Sequence, residues 1–452
     1  MSVFPFILLT DTHYFAPKLG CRGDAYREFM RYEQKCFAET SAINRAAFQW
    51  LNETDLADTV LIAGDLSFNG EKESHLEFIE LLKDLKAHGK RIFVITAGHD
   101  FNDHPFAFDE TGRLEPEGTD RSELFDLYYD FGFSDAIAVD RESLSYVAEL
   151  TPGLRLLALN NDGDCKKNKT WSARQLEWIL RQTKAAREAG AKMIAMNHYP
   201  LLPGVPLFGL LGNEVVMKNA DAVTTILADE GVHLCFTGHM HNMAINKKIT
   251  DKFNEFYDVC TGSLIGCPAG MRLVQVRDNR EAEISTLPIP AFEWDFEGLT
   301  QDEYLKRQFD MMITTYLVSM RDDPARFLSK IGIKDKPALE APVAKLGRLL
   351  NAATVGQVCR VFAVKCPPEI KDVLFVDLAR ELVRNAFCGN MPFVRGTPEH
   401  AAVMGVCGRL RPALNAIGAK MKVNGKPVDL YDLIENTIGK YGLDDLHAVV
   451  QL

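Results

Sequence analysis

Seven ionisable side chains fall where apolar runs of the chain stop: Asp11 and His13, Asp65, His99, His198, and His239 with His241. They take up five of the eleven histidines. Imidazole nitrogen with carboxylate oxygen is a donor set for Zn, Mn or Fe rather than for Mg or Ca. In Gly238-His239-Met240-His241 the two rings are one residue apart, so in an extended segment they face the same side. Solvated loop histidines would show the same spacing, so the weight rests on the whole set. A carboxylate shared by two ions roughly 3.5–4 Å apart is the arrangement used for phosphoester cleavage.

These residues must be delivered by strands. Val3–Thr10, Thr59–Ala63, Arg91–Thr96, Leu154–Leu159, Lys192–Met196 and Val232–Thr237 are short apolar runs, read as buried strands. Between them lie helical patterns: Glu39–Asn52, a stretch with Phe78, Ile79, Leu82 and Leu85 closed by Gly89, a helix opened by a Ser172/Gln175 capping box, and Ala220–Asp229. Alternating strands and helices predict an α/β sheet whose ligand crevice lies outside the carboxyl ends of the strands. Phe256–Cys260, Arg272–Val276 and Ala282–Ser285 are read as antiparallel strands completing a second sheet, and residues 101–121 as a loop. After the linker Leu287–Trp294 the pattern turns helical. One stripe runs through Leu305, Phe309, Ile313, Tyr316 and Met320, and another helix runs from Pro367-Pro368 to Gly389. Asn424-Gly425 marks a tight turn. Two domains are expected, residues 1–287 and a mostly helical 300–452, the latter packing over one side of the first or forming a dimer contact.

The composition narrows the function. At 452 residues, 47% hydrophobic and 25% charged, the chain is globular. A net charge of −11 speaks against a nucleic-acid polymer or an anionic membrane as partner. No apolar stretch is long enough to span a bilayer, and the first apolar run leads straight into Asp11, leaving no room for a signal peptide. Ten cysteines without CxxC pairing fit a reducing compartment, so a cytoplasmic location is expected. One locally basic stretch, residues 14–38, sets Lys18, Arg22, Arg27, Arg31 and Lys35 against Asp24, Glu28 and Glu33. It is read as a solvated helix with ion pairs, with phosphate contact as the sharper alternative.

In order along the chain, Asp-x-His, Gly-Asp, a Gly-His-Asp turn, His-x-Pro and Gly-His-x-His resemble the calcineurin-like metallophosphoesterases over residues 1 to about 287. The run Gly64-Asp-Leu-Ser-Phe-Asn-Gly-Glu-Lys72 looks like their bacterial cyclic-nucleotide-phosphodiesterase-like branch. The resemblance implies a four-layer α/β/β/α sandwich with two divalent transition-metal ions. One ion would take Asp11, His13 and His241, with Asp65 bridging, and the other Asp65, His198 and His239. It implies hydrolysis of a small phosphodiester, cyclic nucleotides first, by a hydroxide between the ions. His99 would assist the leaving group, and Asp100 would orient His99 or a neighbouring ligand.

Where the family places an Asn ligand of the second ion, this chain has Gly98. Water, Asn102 or Asp103 could fill that position, and Gly98 could equally mark a backbone needing positive φ. A weakened second site motivates another reading, a protein that keeps the fold as a binding or scaffolding module. A phosphomonoesterase is a third. Asn160 and Asn161, at a strand end facing the crevice, are read as substrate contacts or turn residues. His104 is read as a loop residue, and His75, His88 and His400 as surface.

Overall fold

The computed structural model describes residues 2–160, 170–207, 209, 216–330, 336–419, 422–423, 426–439 and 443–452. Asn161 and the turn expected at Asn424-Gly425 lie outside the described residues. Among the described residues thirteen strands build two main sheets. In chain order they are β1 (Val3–Leu9), β2 (Thr59–Ala63), β3 (Arg91–Ile95), β4 (Ala136–Asp140), β5 (Ser145–Thr151), β6 (Leu154–Leu159) and β7 (Lys192–Asn197). Then come β8 (Val232–Thr237), β9 (Ala244–Ile249), β10 (Glu255–Cys260), β11 (Met271–Arg277), β12 (Glu281–Leu287) and β13 (His447–Gln451). The first sheet has the order β13-β12-β11-β1-β2-β3, the second β9-β10-β8-β7-β6-β5-β4.

Within these sheets β1, β2 and β3 run parallel, as do β6, β7, β8 and β10. Parallel strands buried on both faces are apolar throughout, which is why these runs stood out in the sequence. Their alternation separates two cores. In β6, Leu156 and Ala158 face the first sheet, joining Phe6, Ile62 and Phe93 in one cluster. Leu157 and Leu159 face outward, against Trp178 and Ile179. Helices α1 (Asp24–Met30), α2 (Thr40–Glu53) and α3 (Lys72–Ala87) occur among the strands of the first sheet, and α2 and α3 contribute Phe48 and Phe78 to the larger cluster. Helices α4 (Ala173–Glu188) and α5 (Ala220–Asp229) cover the second sheet. The result is the four-layer α/β/β/α sandwich.

The sheet assignment of two strands is corrected by long-range pairing. Glu255–Cys260 belongs to the second sheet as expected, antiparallel to β9 on one side and parallel to β8 on the other. The strands β11 and β12 are antiparallel yet extend the first sheet through β1. Residues 101–121 contain a small hairpin, Ala107–Asp109 with Gly112–Leu114. The C-terminal region is built on α6 (Gln301–Asp322), α7 (Glu340–Ala352), α8 (Phe375–Cys388), α9 (Pro398–Gly418) and α10 (Leu430–Ile438). Its last strand, β13, returns to pair with β12 at the edge of the first sheet. Among the described residues no helix is long and apolar enough to cross a membrane.

Candidate metal centre

The parallel strands end on one edge of the sandwich, and the loops that follow them bring six ligand-type side chains together. Close approach is bought with glycine at two points. Gly64 has φ 88°, and a Cβ there would stand 2.9 Å from His198 Nδ1 and 3.0 Å from the Ala97 Cβ. At Gly238 a Cβ would overlap Thr10 Oγ1 and Asp11 Oδ2, so only glycine lets the following residue reach Asp11. The ligand positions themselves are backbone outliers. Asp11 (φ 51°), His13 (38°), Asp65 (52°), His239 (66°) and His241 (51°) all occupy the left-handed region.

Asp11, His13 and His241 form one group, with donor atoms within 4.8 Å of one another. The Nε2 atoms of His13 and His241 face each other at 3.2 Å. Asp11 Oδ1 lies 3.1 Å from His241 Nε2 and 3.6 Å from His13 Nε2. Its other oxygen is already used, accepting from Thr10 Oγ1 at 2.7 Å and from the His239 N–H at 3.0 Å. Asp65, His198 and His239 form the second group, again within 4.8 Å. His198 Nδ1–H donates to the Ala63 carbonyl at 2.8 Å, which turns Nε2 inward. That Nε2 is 3.0 Å from Asp65 Oδ2 but has no aligned hydrogen-bond partner. Asp65 Oδ2 is also 3.9 Å from His13 Nε2, so one carboxylate oxygen looks toward both groups.

Around them stand residues of a supporting kind. His99 donates its Nδ1–H to the Phe68 carbonyl at 2.7 Å, and its ring meets that of His13 edge-on with centroids 4.9 Å apart. Asp100 does not touch the His99 ring. Its carboxylate accepts three backbone N–H groups, from Leu66 and Ser67 on Oδ1 and from Ala97 on Oδ2, at 2.7, 2.9 and 2.7 Å. It thereby ties the Asp65 loop to the His99 turn. His75, expected at the surface, is fully buried instead. It bonds Tyr128 Oη at 2.6 Å and the Asp100 carbonyl at 2.9 Å. His400 is buried too, against the surface expectation, under the apolar packing of the C-terminal helices. His88 and His104 are exposed, and His104 pairs with Glu115 at 2.8 Å.

A family profile for calcineurin-like phosphoesterases matches residues 4–243, more than half of the chain. The chain belongs to the calcineurin-like phosphoesterase family. It is also similar to a dimetal phosphatase from Danio rerio, at 13% identity over 63% of this chain and 95% of that one, with a TM-score of 0.45. A purple acid phosphatase from yellow lupin (Lupinus luteus) seeds matches at 14% identity over 65% and 52%, with a TM-score of 0.40. NAD nucleotidase of Haemophilus influenzae matches at 12% over 78% and 62%, with a TM-score of 0.36. No curated protein matches the sequence.

Calcineurin-like phosphoesterases bind a dimetal centre, and the residues of this one fit it. Two imidazole nitrogens and a carboxylate oxygen converge at 3.1–3.6 Å, a mixed nitrogen and oxygen donor set that suits one shared cation. Electrostatics agree. Burial opposes charge on both carboxylates, yet His241, His198 and His13 hold Asp11 well below the usual range. His198, His99 and His13 do the same for Asp65. Burial lowers His198, but Asp65 and Asp11 together push it up to about 9. A cation drawn to this phosphoesterase site competes with that proton. Burial, with the Lys35 ammonium beside it, keeps His13 well below its usual value.

Gly98 opens the turn outside the positive-φ positions, so the conformational reading of that glycine does not hold. Neither expected substitute reaches in. Asn102 Oδ1 accepts the His104 N–H at 3.1 Å, and Asp103 is exposed and in neither ligand group. Asn160 is buried and bonded to Thr96, joining the ends of β6 and β3. Sequence reasoning missed Thr10, Phe68 and His75 as supports. Only Thr10, a hydroxyl directly before Asp11, carried a local signal.

Proposed function

We propose that this phosphoesterase hydrolyses small phosphodiesters, with cyclic nucleotides the first candidates. The observation that carries the reading is His99 standing against His13 beside two ligand groups that Asp65 joins. Two divalent ions, Mn, Fe or Zn, held by Asp11, His13 and His241 and by Asp65, His198 and His239, would neutralise phosphoryl oxygens and activate water. The chain supplies the rest. The Phe68 carbonyl fixes the His99 tautomer and leaves Nε2 for proton exchange with the departing oxygen. Burial, joined by the Lys35 charge, lowers the pKa of His99 against the pull of Asp65. An imidazolium so placed gives up its proton readily to an alkoxide. The likeness of Gly64–Lys72 to the bacterial cyclic-nucleotide branch supports the diester preference.

The test is a panel of phosphomonoesters, linear diesters and cyclic nucleotides offered to the manganese-supplemented full chain. Diesters should exceed monoesters by at least about tenfold in kcat/KM, a difference of ~1.4 kcal/mol. The reverse ranking would make it a monoesterase. Two retained ions without turnover would favour the scaffold reading that Gly98 motivates.

A further inference from the structure

The segment between α1 and α2 carries a lysine that neither ligand group uses. The Lys35 side chain is 6% exposed, and its ammonium stands over the Phe68 ring, 4.4 Å from the centroid. Phe37 stacks on that same ring at 4.0 Å and 15°. The Phe68 ring lies 6.0 Å from the ring of His13, and its carbonyl anchors His99. Lys35 is therefore held beside the first ligand group and the leaving-group histidine. Its charge is felt there, lowering both His13 and His99.

What the ammonium lacks is an acceptor. Among the described residues none lies within hydrogen-bonding distance of Nζ. The nearest charge is Glu33 Oε1 at 3.9 Å, and that oxygen already accepts the backbone N–H groups of Gln34 and Lys35, at 2.9 and 3.2 Å. The stem is buried but the ammonium keeps some access to solvent, so its three donors stay available, and a neighbouring pair of cation sites adds repulsion. An anion entering the site removes it.

The segment is also fixed in place. The Cys36 N–H donates to the Ile265 carbonyl at 2.9 Å, and Gln34 Nε2 to the Cys267 carbonyl at 3.1 Å. From α6, Gln308 Nε2 donates to the carbonyls of Met30 and Glu33 at 2.9 and 2.7 Å, and Tyr304 Oη donates to Glu39 at 2.5 Å. The C-terminal region thus grips both ends of the stretch that presents Lys35.

We propose that Lys35 is an anion-binding residue of this site, its ammonium taking a non-bridging oxygen of the substrate's phosphoryl group, and that α6 holds it there. The proposal deepens the phosphoesterase reading and rests on it for the identity of the anion, but its first measurement does not need turnover. Inorganic phosphate is titrated calorimetrically into the manganese-loaded full chain, with metal content measured in parallel. Lys35→Met keeps the apolar stem over Phe68 and should keep two ions, while phosphate binding weakens roughly ten- to hundredfold. Lys35→Arg should recover part of the loss. Gln308→Ala should weaken phosphate roughly three- to tenfold with metal content unchanged, and it carries the test if Lys35→Met fails to fold. Unchanged phosphate affinity in Lys35→Met or Gln308→Ala overturns the proposal, as does loss of the ions from Lys35→Met. If the wild type binds phosphate through Lys35 but hydrolyses no ester, the phosphoesterase reading falls and the anion site stands.

Discussion

The two ligand groups share an edge of the sandwich but are supported by different chemistry. Behind Asp11, His13 and His241 the supports are neutral: Thr10 Oγ1 on Asp11 Oδ2, Ser263 Oγ on the Asp11 carbonyl, Asn44 Nδ2 on the Thr12 carbonyl and Thr12 Oγ1 on the Leu66 carbonyl. None of these titrates in the working range. Behind Asp65 and the His99 turn stand Asp100, pushed up to about 7 by burial and by Asp65, and His75, held down to about 4 by burial. The turn that carries Gly98 reaches the second group through the His99 N–H, which donates to Asp65 Oδ1 at 2.9 Å. The first group is thus tied down by neutral hydrogen bonds, whereas the loops of the second are tied down by ionisable side chains.

Replacing the residue that joins the groups should have the largest effect. Asp65→Ala removes the oxygen that looks toward both His13 and His198, so turnover should fall by at least about a thousandfold, ~4 kcal/mol. Near wild-type hydrolysis of a chromogenic diester would show that the groups act separately.

Behind the second group the two ionisable supports act with opposite signs: Asp100, raised to about 7, gains stability as pH falls below that value, whereas His75 loses it. His75 is neutral in the fold and titrates near 6.5 when unfolded. Its contribution is therefore fully present above pH 6.5 and is lost as pH falls toward the folded value of about 4. Between pH 6.5 and 5 the loss should approach about 2 kcal/mol. Denaturant melts of wild type and His75→Gln check this, with the wild type losing stability relative to the variant as pH falls from 6.5 to 5. Parallel curves would place the acid sensitivity elsewhere.

The smallest change should come from restoring a side chain at Gly98. Gly98→Asn, on a backbone that does not need glycine, should raise retention of the second ion about tenfold after dialysis against a weak chelator. Equal retention in both proteins would erase the difference between the groups.

How much of this was legible depended on how local each signal was. The ligands could be read because each follows an apolar run that burial on both faces makes conspicuous, as in Val60, Leu61, Ile62 and Ala63 before Asp65. His75 could not. It sits in α3 four residues after Glu71 among polar neighbours, and its burial is set by Tyr128, 53 residues away. Lys35 lay in a basic stretch that looks solvated, and only the placement of Phe68 and of α6 buries it. The assignment of β11 and β12 failed for the same reason. Alternation identifies a strand, but the sheet it joins is decided by a partner such as β1, more than 260 residues upstream. β13 was hidden by following a helical region and pairing across 160 residues with β12.

Five of the six ligand residues hold left-handed backbone, a conformation that disfavours any side chain by roughly 1 kcal/mol or more. Glycine would sit there at ease, and drift toward it would make the chain more stable in the absence of any ion. A lineage released from the need for metal should therefore change at Asp11, His13, Asp65, His239 and His241 before it changes at His198, the one ligand with an ordinary backbone.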